Sequence, residues 1–125
     1  MAIDATGVNL AGFGYQTKED ITASTLTTDA NDSGKVMNFT HATPTVTLHA
    51  VAAGESMTFC VGANPQVLTI SPNAADGIFG VDAGAVDDKD IIFTNQPIGS
   101  FVTLIGGKAA GWSISAVSGA FTVQA

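Results

Sequence analysis

Four aspartates in one Gly- and Ala-rich stretch are the residues best suited to binding a metal ion. Asp82, Asp87, Asp88 and Asp90 supply carboxylate oxygens, the ligands that Ca²⁺ prefers. The stretch lacks the alternating Asp/Asn pattern and the distal Glu of a specific calcium loop, so we expect a hydrated loop without bound metal. Asp76 precedes Gly77, and we expect its side chain to hold that turn by accepting hydrogen bonds from backbone N–H groups.

The histidines and the single cysteine offer a possible base and a possible nucleophile. His41 and His49 are expected on separate strands, exposed, and they lack the His-x-His spacing and following Glu of a cupin metal site. Cys60 shares one strand face with Ser56 and Thr58 in the predicted strand. No base is indicated beside it, so we expect a packed structural thiol.

Aromatic and glycine motifs do not assemble an enzyme site either. Trp112 would suit stacking on a sugar ring, but a tryptophan after a glycine turn favours a core position. The glycine-rich segments contain no Gly-Lys-Ser/Thr phosphate loop, and no Ser/His/Asp order stands out. We therefore expect a non-enzymatic protein without catalytic, cofactor-binding or metal-binding residues.

Composition limits the partners of the chain. It has 125 residues, 46% of them hydrophobic and 12% charged, which suits one folded domain with a real core. The net charge is −7, arginine is absent and the four lysines are scattered. These features argue against nucleic acid and anionic membranes as partners. The first residues do not read as a secretory signal and no run is long enough for a membrane span, so we expect a protein made in the cytoplasm.

Strand patterns dominate the elements that must position these residues. In the predicted strand 45–51, Val46, Leu48 and Ala50 share one face, whereas Thr45, Thr47 and His49 share the other. Similar patterns predict about eight to ten short strands, and no segment has helical periodicity. The fold class is therefore predicted as all-β, a jelly-roll-like β-sandwich over residues 21–125, with the acidic stretch as a long connection.

Two successive β-hairpins are expected to form the centre of this domain. The first pairs residues 54–62 with 67–71, and the second pairs residues 99–106 with 112–115. The strand at 101–105 is apolar on both faces, because Val102 and Leu104 lie on one side and Phe101 and Ile105 on the other. Since the core covers one face only, we predict that Phe101 and Ile105 lie in a subunit interface of a homo-oligomer, with a trimer as the expected state.

Residues 1–20 are predicted to form a glycine-rich N-terminal arm. They lack the period of a strand or a helix. Its apolar side chains would be costly to leave in water, so we expect the arm to lie on its own domain or on a neighbour. These side chains are Ile3, Val8, Leu10, Phe13 and Tyr15.

Several motifs together resemble a β-rich module of tailed-bacteriophage virion proteins. They span about residues 36–118 and comprise 46–48 (VTL), 53–59 (AGESMTF), 67–72 (VLTISP), 76–78 (DGI), 99–104 (GSFVTL) and 111–114 (GWSI). The module occurs in head decoration (cement) proteins and in tail-fibre or tail-spike domains. The motifs are turns and core positions, so the resemblance implies an architecture and no catalytic residues.

Within that resemblance, a short chain with its own Met1 and an apolar arm is more similar to a capsid decoration protein than to a long fibre. Such a protein would bind the major capsid protein on the outer surface of the virion and stabilise the shell. The arm residues Ile3, Val8, Leu10, Phe13 and Tyr15 would then contact the capsid. The alternatives are a tail-tip or fibre receptor-binding module and a small carbohydrate-binding β-sandwich.

Overall fold

The computed structural model describes residues 17–81, 84–87, 89–108 and 110–124, and it confirms the predicted all-β sandwich. One 3-10 turn, Ala30–Asp32, is the only helical segment among these residues. The strands of the described part are β1 Thr17–Ile21, β2 Thr25–Thr27, β3 Lys35–Phe39, β4 Thr45–Thr47, β5 Ser56–Val61, β6 Val67–Ser71, β7 Gly77–Val81, β8 Gly84–Asp87, β9 Ile91–Thr94, β10 Phe101–Lys108, β11 Gly111–Ser118 and β12 Thr122–Val123.

The strands form two sheets between which the chain alternates. The larger sheet has the order β1-β3-β5-β10-β11-β7-β8, and the smaller has the order β12-β9-β6-β4-β2. Up to β6 each strand enters the sheet opposite to its predecessor, so β1, β3 and β5 pair in parallel in one sheet and β2, β4 and β6 in the other. This first half is a flattened coil of parallel strands, unlike the antiparallel pairing of a jelly roll.

The second half of the chain closes the sandwich with antiparallel pairs. β10 pairs with both β5 and β11, and β9 pairs with both β6 and β12. The parallel pair of β11 and β7 brings Gly111 against Gly77, where an added Cβ would overlap the backbone of Gly77. A residue with a side chain at position 111 would therefore push these strands apart.

The core lies between the two sheets and follows the predicted alternation. Val46 and Leu48 are buried, whereas Thr45 and Thr47 are exposed. The rings of Phe39 and Phe59 stack with centroids 6.2 Å apart. Each large side chain buried in this way contributes about 1.5–3 kcal/mol to stability. Fully buried members of the core include Met37, Phe39, Val46, Met57, Phe59, Leu68, Ile70, Ile78, Ile91, Val102, Leu104 and Trp112.

The second predicted hairpin is confirmed, but the first prediction was wrong. β10 and β11 pair as expected, whereas β5 and β6 lie in different sheets. The residues between them cross the sandwich because Gly62 N–H donates to the Phe39 carbonyl, and the buried Gln66 side chain donates to the carbonyls of Phe39 and His41 at 2.7 Å each. These long-range bonds anchor the crossing and are invisible in the local pattern.

Other predicted boundaries also change. β7 and β8 occupy part of the stretch that was predicted as a long connection, because β7 finds a partner in β11. The structure places Thr17–Ile21 in β1, although residues 17–20 were assigned to the arm, since parallel pairing with β3 supplies the hydrogen-bond partners. No helix in the described residues is both long and apolar enough to cross a membrane.

Candidate interaction surface

The outward face of β10 carries two apolar side chains that are partly accessible to solvent. Val102 and Leu104 point into the core and are fully buried, as predicted. Phe101 is half-buried on the opposite face, and Ile105 there is 39% exposed. The predicted two-sided apolar character of this strand is therefore present, and Ile105 is the most accessible side chain on its outward side.

Neighbouring strands extend this face. The pairing of β10 with β5 sets Cys60 opposite Phe101 and Thr58 opposite Thr103. The two threonine hydroxyls hydrogen-bond to each other at 2.8 Å, which satisfies their polar groups within the sheet. We call this surface the β10 face and define it by Val36, Thr58, Cys60, Phe101, Thr103 and Ile105.

Polar groups border the β10 face on the side of β1. The Asn38 amide donates to Asp20 at 3.1 Å, and Lys18 lies 3.5 Å from the same carboxylate. At its other end, Ile105 borders a shallow depression of about 310 Å³ that Gly54, Glu55 and Gly106 also line. A partly apolar centre with a polar border is the composition expected of a protein–protein interface.

Cys60 occupies the strand face predicted for it. It is half-buried and unpaired, and burial raises the pKa of its thiol, while the charge of Lys18 acts in the opposite direction. Its cross-strand neighbours are Phe101 and Asn38, neither of which is a base. The surroundings therefore favour a neutral, packed thiol over an activated nucleophile.

A hydrogen-bonded chain of Thr28, His49 and Glu55 is the feature that sequence reasoning missed. His49 Nδ1 lies 2.7 Å from Thr28 Oγ1, and His49 Nε2 lies 2.7 Å from Glu55 Oε1. Thr28 Oγ1 also accepts the backbone N–H of His49 at 3.0 Å. A neutral His49 protonated on Nε2 satisfies every group, since the Thr28 hydroxyl donates to Nδ1 and Nε2–H donates to Glu55.

The prediction of an exposed His49 was wrong. Its side chain is only 18% exposed, and its ring lies edge-on to the Trp112 indole with centroids 5.3 Å apart. The residue follows β4, where the chain leaves the sheet and packs against the buried indole. No local pattern could reveal this contact, because Thr28 and Glu55 lie on separate segments that only the tertiary fold brings to His49.

The order hydroxyl, imidazole and carboxylate matches that of a nucleophilic relay, but the geometry favours a structural role. Thr28 is 2% exposed, and its hydroxyl is already bonded to two groups of His49. A substrate would have to reach a buried hydroxyl oxygen whose hydrogen bonds are already made within the protein. The chain of bonds instead ties together the segments that follow β2, follow β4 and precede β5.

Asp76 also bonds to a residue that is distant in sequence. The prediction that it holds its own turn was wrong, because Asp76 Oδ2 accepts the backbone N–H of Val51 at 2.9 Å. Asn73 holds the turn instead, since its side chain accepts the N–H of Ala75 at 3.2 Å and its carbonyl accepts that of Asp76 at 2.8 Å. Asp76, which is 6% exposed, thus fixes the segment after β4 through the backbone of Val51.

The remaining predicted residues have mixed outcomes. Trp112 is fully buried, which confirms its core position. His41 is half-buried in a bend after β3, where its Nδ1 accepts the N–H of Thr43 at 3.0 Å, so it is less exposed than predicted.

Part of the predicted surface lies beyond what the structure describes. Asp82 and Asp88 of the acidic stretch fall outside the described residues, as do the arm side chains. Those side chains are Ile3, Val8, Leu10, Phe13 and Tyr15. Within the described residues, no three His, Cys, Asp or Glu side chains come together as a metal site.

No protein-family model and no curated protein matches this chain.

Proposed function

We propose that this protein is a non-enzymatic structural component of a tailed-bacteriophage virion, a decoration protein that binds the outside of the head and stabilises the shell. The observation that carries the proposal is the β10 face. Ile105 is accessible on the same strand face as a half-buried Phe101, and the other side of this sheet already packs against a full core. A face of this kind suits a neighbouring subunit.

The motifs behind the phage resemblance occupy structural positions, which supports a shared architecture. The motif at 53–59 leads into β5 with buried Met57 and Phe59, and the motif at 111–114 starts β11 with buried Trp112. Positions of this kind specify a core and its turns. They support the proposed family through the fold, while the β10 face supports the proposed role in the virion.

The proposed assembly is a homotrimer on the major capsid protein. The β10 face would join the subunits, and the N-terminal arm, with Ile3, Val8, Leu10, Phe13 and Tyr15, would grip the shell. Three arms on one trimer would raise the apparent affinity, because each further contact is made at high effective concentration. The net charge of −7 and the absence of arginine fit a protein partner better than nucleic acid or an anionic membrane.

One alternative has an observation in its favour. The parallel coil from β1 to β6 is a geometry that can be lengthened by adding further turns, which suits a tail-fibre or receptor-binding module. The carbohydrate-binding alternative relied on Trp112, and that side chain is buried in the core. Decoration therefore remains our first proposal and the tail module our second.

Co-sedimentation with phage heads that lack the protein tests the proposal. We expect purified protein to pellet with the heads and to saturate at a fixed number of copies per shell. Isolated tails serve as the comparison. Binding to tails alone would support the second proposal, and binding to neither would contradict both.

A further inference from the structure

Five threonines and one serine on the outward side of the smaller sheet form two aligned rows. The parallel pairs β2–β4 and β4–β6 are in register, so equivalent residues of the three strands lie side by side. We call these residues the threonine array. Its first row is Thr25, Thr45 and Thr69, and its second row is Thr27, Thr47 and Ser71.

Core residues between the two rows fix the register of the array. Between the rows, Leu26, Val46 and Ile70 form a third aligned set that points into the sandwich, and Val46 and Ile70 are fully buried. The register therefore cannot slip by one residue without exposing this set. Five of the six residues are threonines, whose β-branched side chains are restricted at χ1, so the backbone limits where these five hydroxyls can lie.

The hydroxyls of the array are not used by the protein. Among the described residues, none of the six makes a side-chain hydrogen bond to another protein group. Thr28, Thr58 and Thr103 contrast with them, because their hydroxyls bond within the fold. The array consequently presents six free donor–acceptor groups, separated by methyl groups, to whatever lies above the sheet.

No charge interrupts this face. The outward positions that continue it on β6, β9 and β12 are Val67, Ile92, Thr94 and Thr122. The larger sheet differs, since its outward face carries Lys18 and Asp20. A chain with a net charge of −7 thus keeps the outward strand positions of one whole sheet neutral.

The array repeats in two directions at the ordinary spacings of paired β-strands. Paired strands lie about 4.8 Å apart, and alternate residues along a strand lie about 6.6 Å apart. The water molecules at the surface of hexagonal ice have repeats of similar size and present neutral donors and acceptors. The uncharged array complements such a surface, whereas sugar-binding sites rely on exposed aromatic rings, which these six positions lack.

We propose that the threonine array binds ice. The array would hold water molecules in an ice-like arrangement and attach the protein to a growing crystal by its neutral, regular face. This activity does not depend on the proposed role in the virion.

Partition into ice tests the proposal with the full chain. A slowly grown ice hemisphere should incorporate the wild-type protein, and the solution should show thermal hysteresis and slowed ice recrystallisation. Thr47→Tyr, in the centre of the array, should abolish incorporation. Thr40→Tyr, at an exposed position after β3 and outside the array, is the matched control and should behave like wild type.

Both variants place tyrosine at an exposed position, and thermal unfolding followed by circular dichroism establishes that each is folded. Exclusion of the wild-type protein from ice would overturn the proposal, as would equal incorporation of wild type and Thr47→Tyr. Sedimentation equilibrium separates a further outcome. If Thr47→Tyr changes the oligomeric state while wild type is excluded from ice, the array is a contact between copies of this chain, and the proposal fails.

Discussion

Nε2 of His49 lies 2.7 Å from Oε1 of Glu55, and the two side chains are only 18% and 14% exposed. With Thr28 on the other side of the imidazole, this contact fixes the segment between β4 and β5. In the same segment, the backbone N–H of Val51 donates to the Asp76 carboxylate, and the His49 ring packs on Trp112. We infer that this polar cluster orients the entry into β5, the strand on which the β10 face depends.

Removing Glu55 should therefore destabilise the fold. In Glu55→Ala the Nε2–H of His49 loses its partner in a largely buried place, which costs about 1–3 kcal/mol. Urea unfolding measures the change in the free energy of unfolding. Glu19→Ala is the control, because Glu19 makes a more exposed ion pair with Lys35 and should cost less than about 1 kcal/mol. Equal effects of the two variants would contradict the structural role of the cluster.

Cys60 should contribute to stability and not to the binding of heads. We expect Cys60→Ser to lower the free energy of unfolding by about 1 kcal/mol, because a half-buried thiol is replaced by a more polar group. Burial raises the pKa of the thiol, so the folded state holds this proton more tightly than the unfolded state. The contribution of the thiol to the free energy of unfolding is therefore complete below its pKa in the unfolded state. It is lost as the pH rises through the raised pKa of the folded state.

Urea unfolding of both proteins at a series of pH values checks this expectation. The stability difference between wild type and Cys60→Ser should be constant at neutral pH and shrink in alkaline solution. A difference that grows with pH would show that the thiolate is favoured in the folded state. A folded Cys60→Ser protein that no longer binds heads would contradict the structural interpretation.

Ile105 should control the oligomeric state. Ile105→Lys places a charge on the β10 face, and we expect sedimentation equilibrium at micromolar concentration to show a trimer for wild type and a monomer for the variant. Ile98→Lys is a matched control, since Ile98 is 67% exposed in the turn before β10. If wild type is monomeric, or if Ile98→Lys dissociates the oligomer as well, the β10 face is not the interface.

Alternation along the strands made the fold class predictable, but partners distant in sequence decided the topology. Val46 and Leu48 were placed in the core correctly because the period of two is a local property. The pattern of β5 and β6 also suits a hairpin, yet Gln66 and Gly62 direct the chain across to the other sheet. A hairpin and a crossing share the same alternation, so the sequence alone favoured the simpler connection.

The candidate surface was predictable only where it depends on alternation along a single strand. Phe101 and Ile105 could be assigned to one face from the period of their strand. The cluster around His49 was not predictable, because its members are far apart in sequence and their hydrogen bonds leave no local pattern. The threonine array was equally hidden, since each strand shows one pair of hydroxyls and only the parallel register aligns them.

The N-terminal arm should carry much of the attachment to the capsid. Because β1 begins at Thr17, deletion of residues 1–16 removes the arm and leaves every described strand intact. A few apolar side chains can supply several kcal/mol at about 25 cal/mol per Å² buried. We expect the truncated protein to remain a folded oligomer and to lose co-sedimentation with undecorated heads. Unchanged binding would place the gripping surface on the β-sandwich.

If the proposal holds, a phage encodes this chain, and electron microscopy of its virions is the decisive measurement. Particles with and without the protein would be compared as capsid reconstructions. We expect trimeric density on the outer surface of the head, absent when the gene is deleted and restored when purified protein is added. Density confined to the tail, or identical heads with and without the protein, would contradict it.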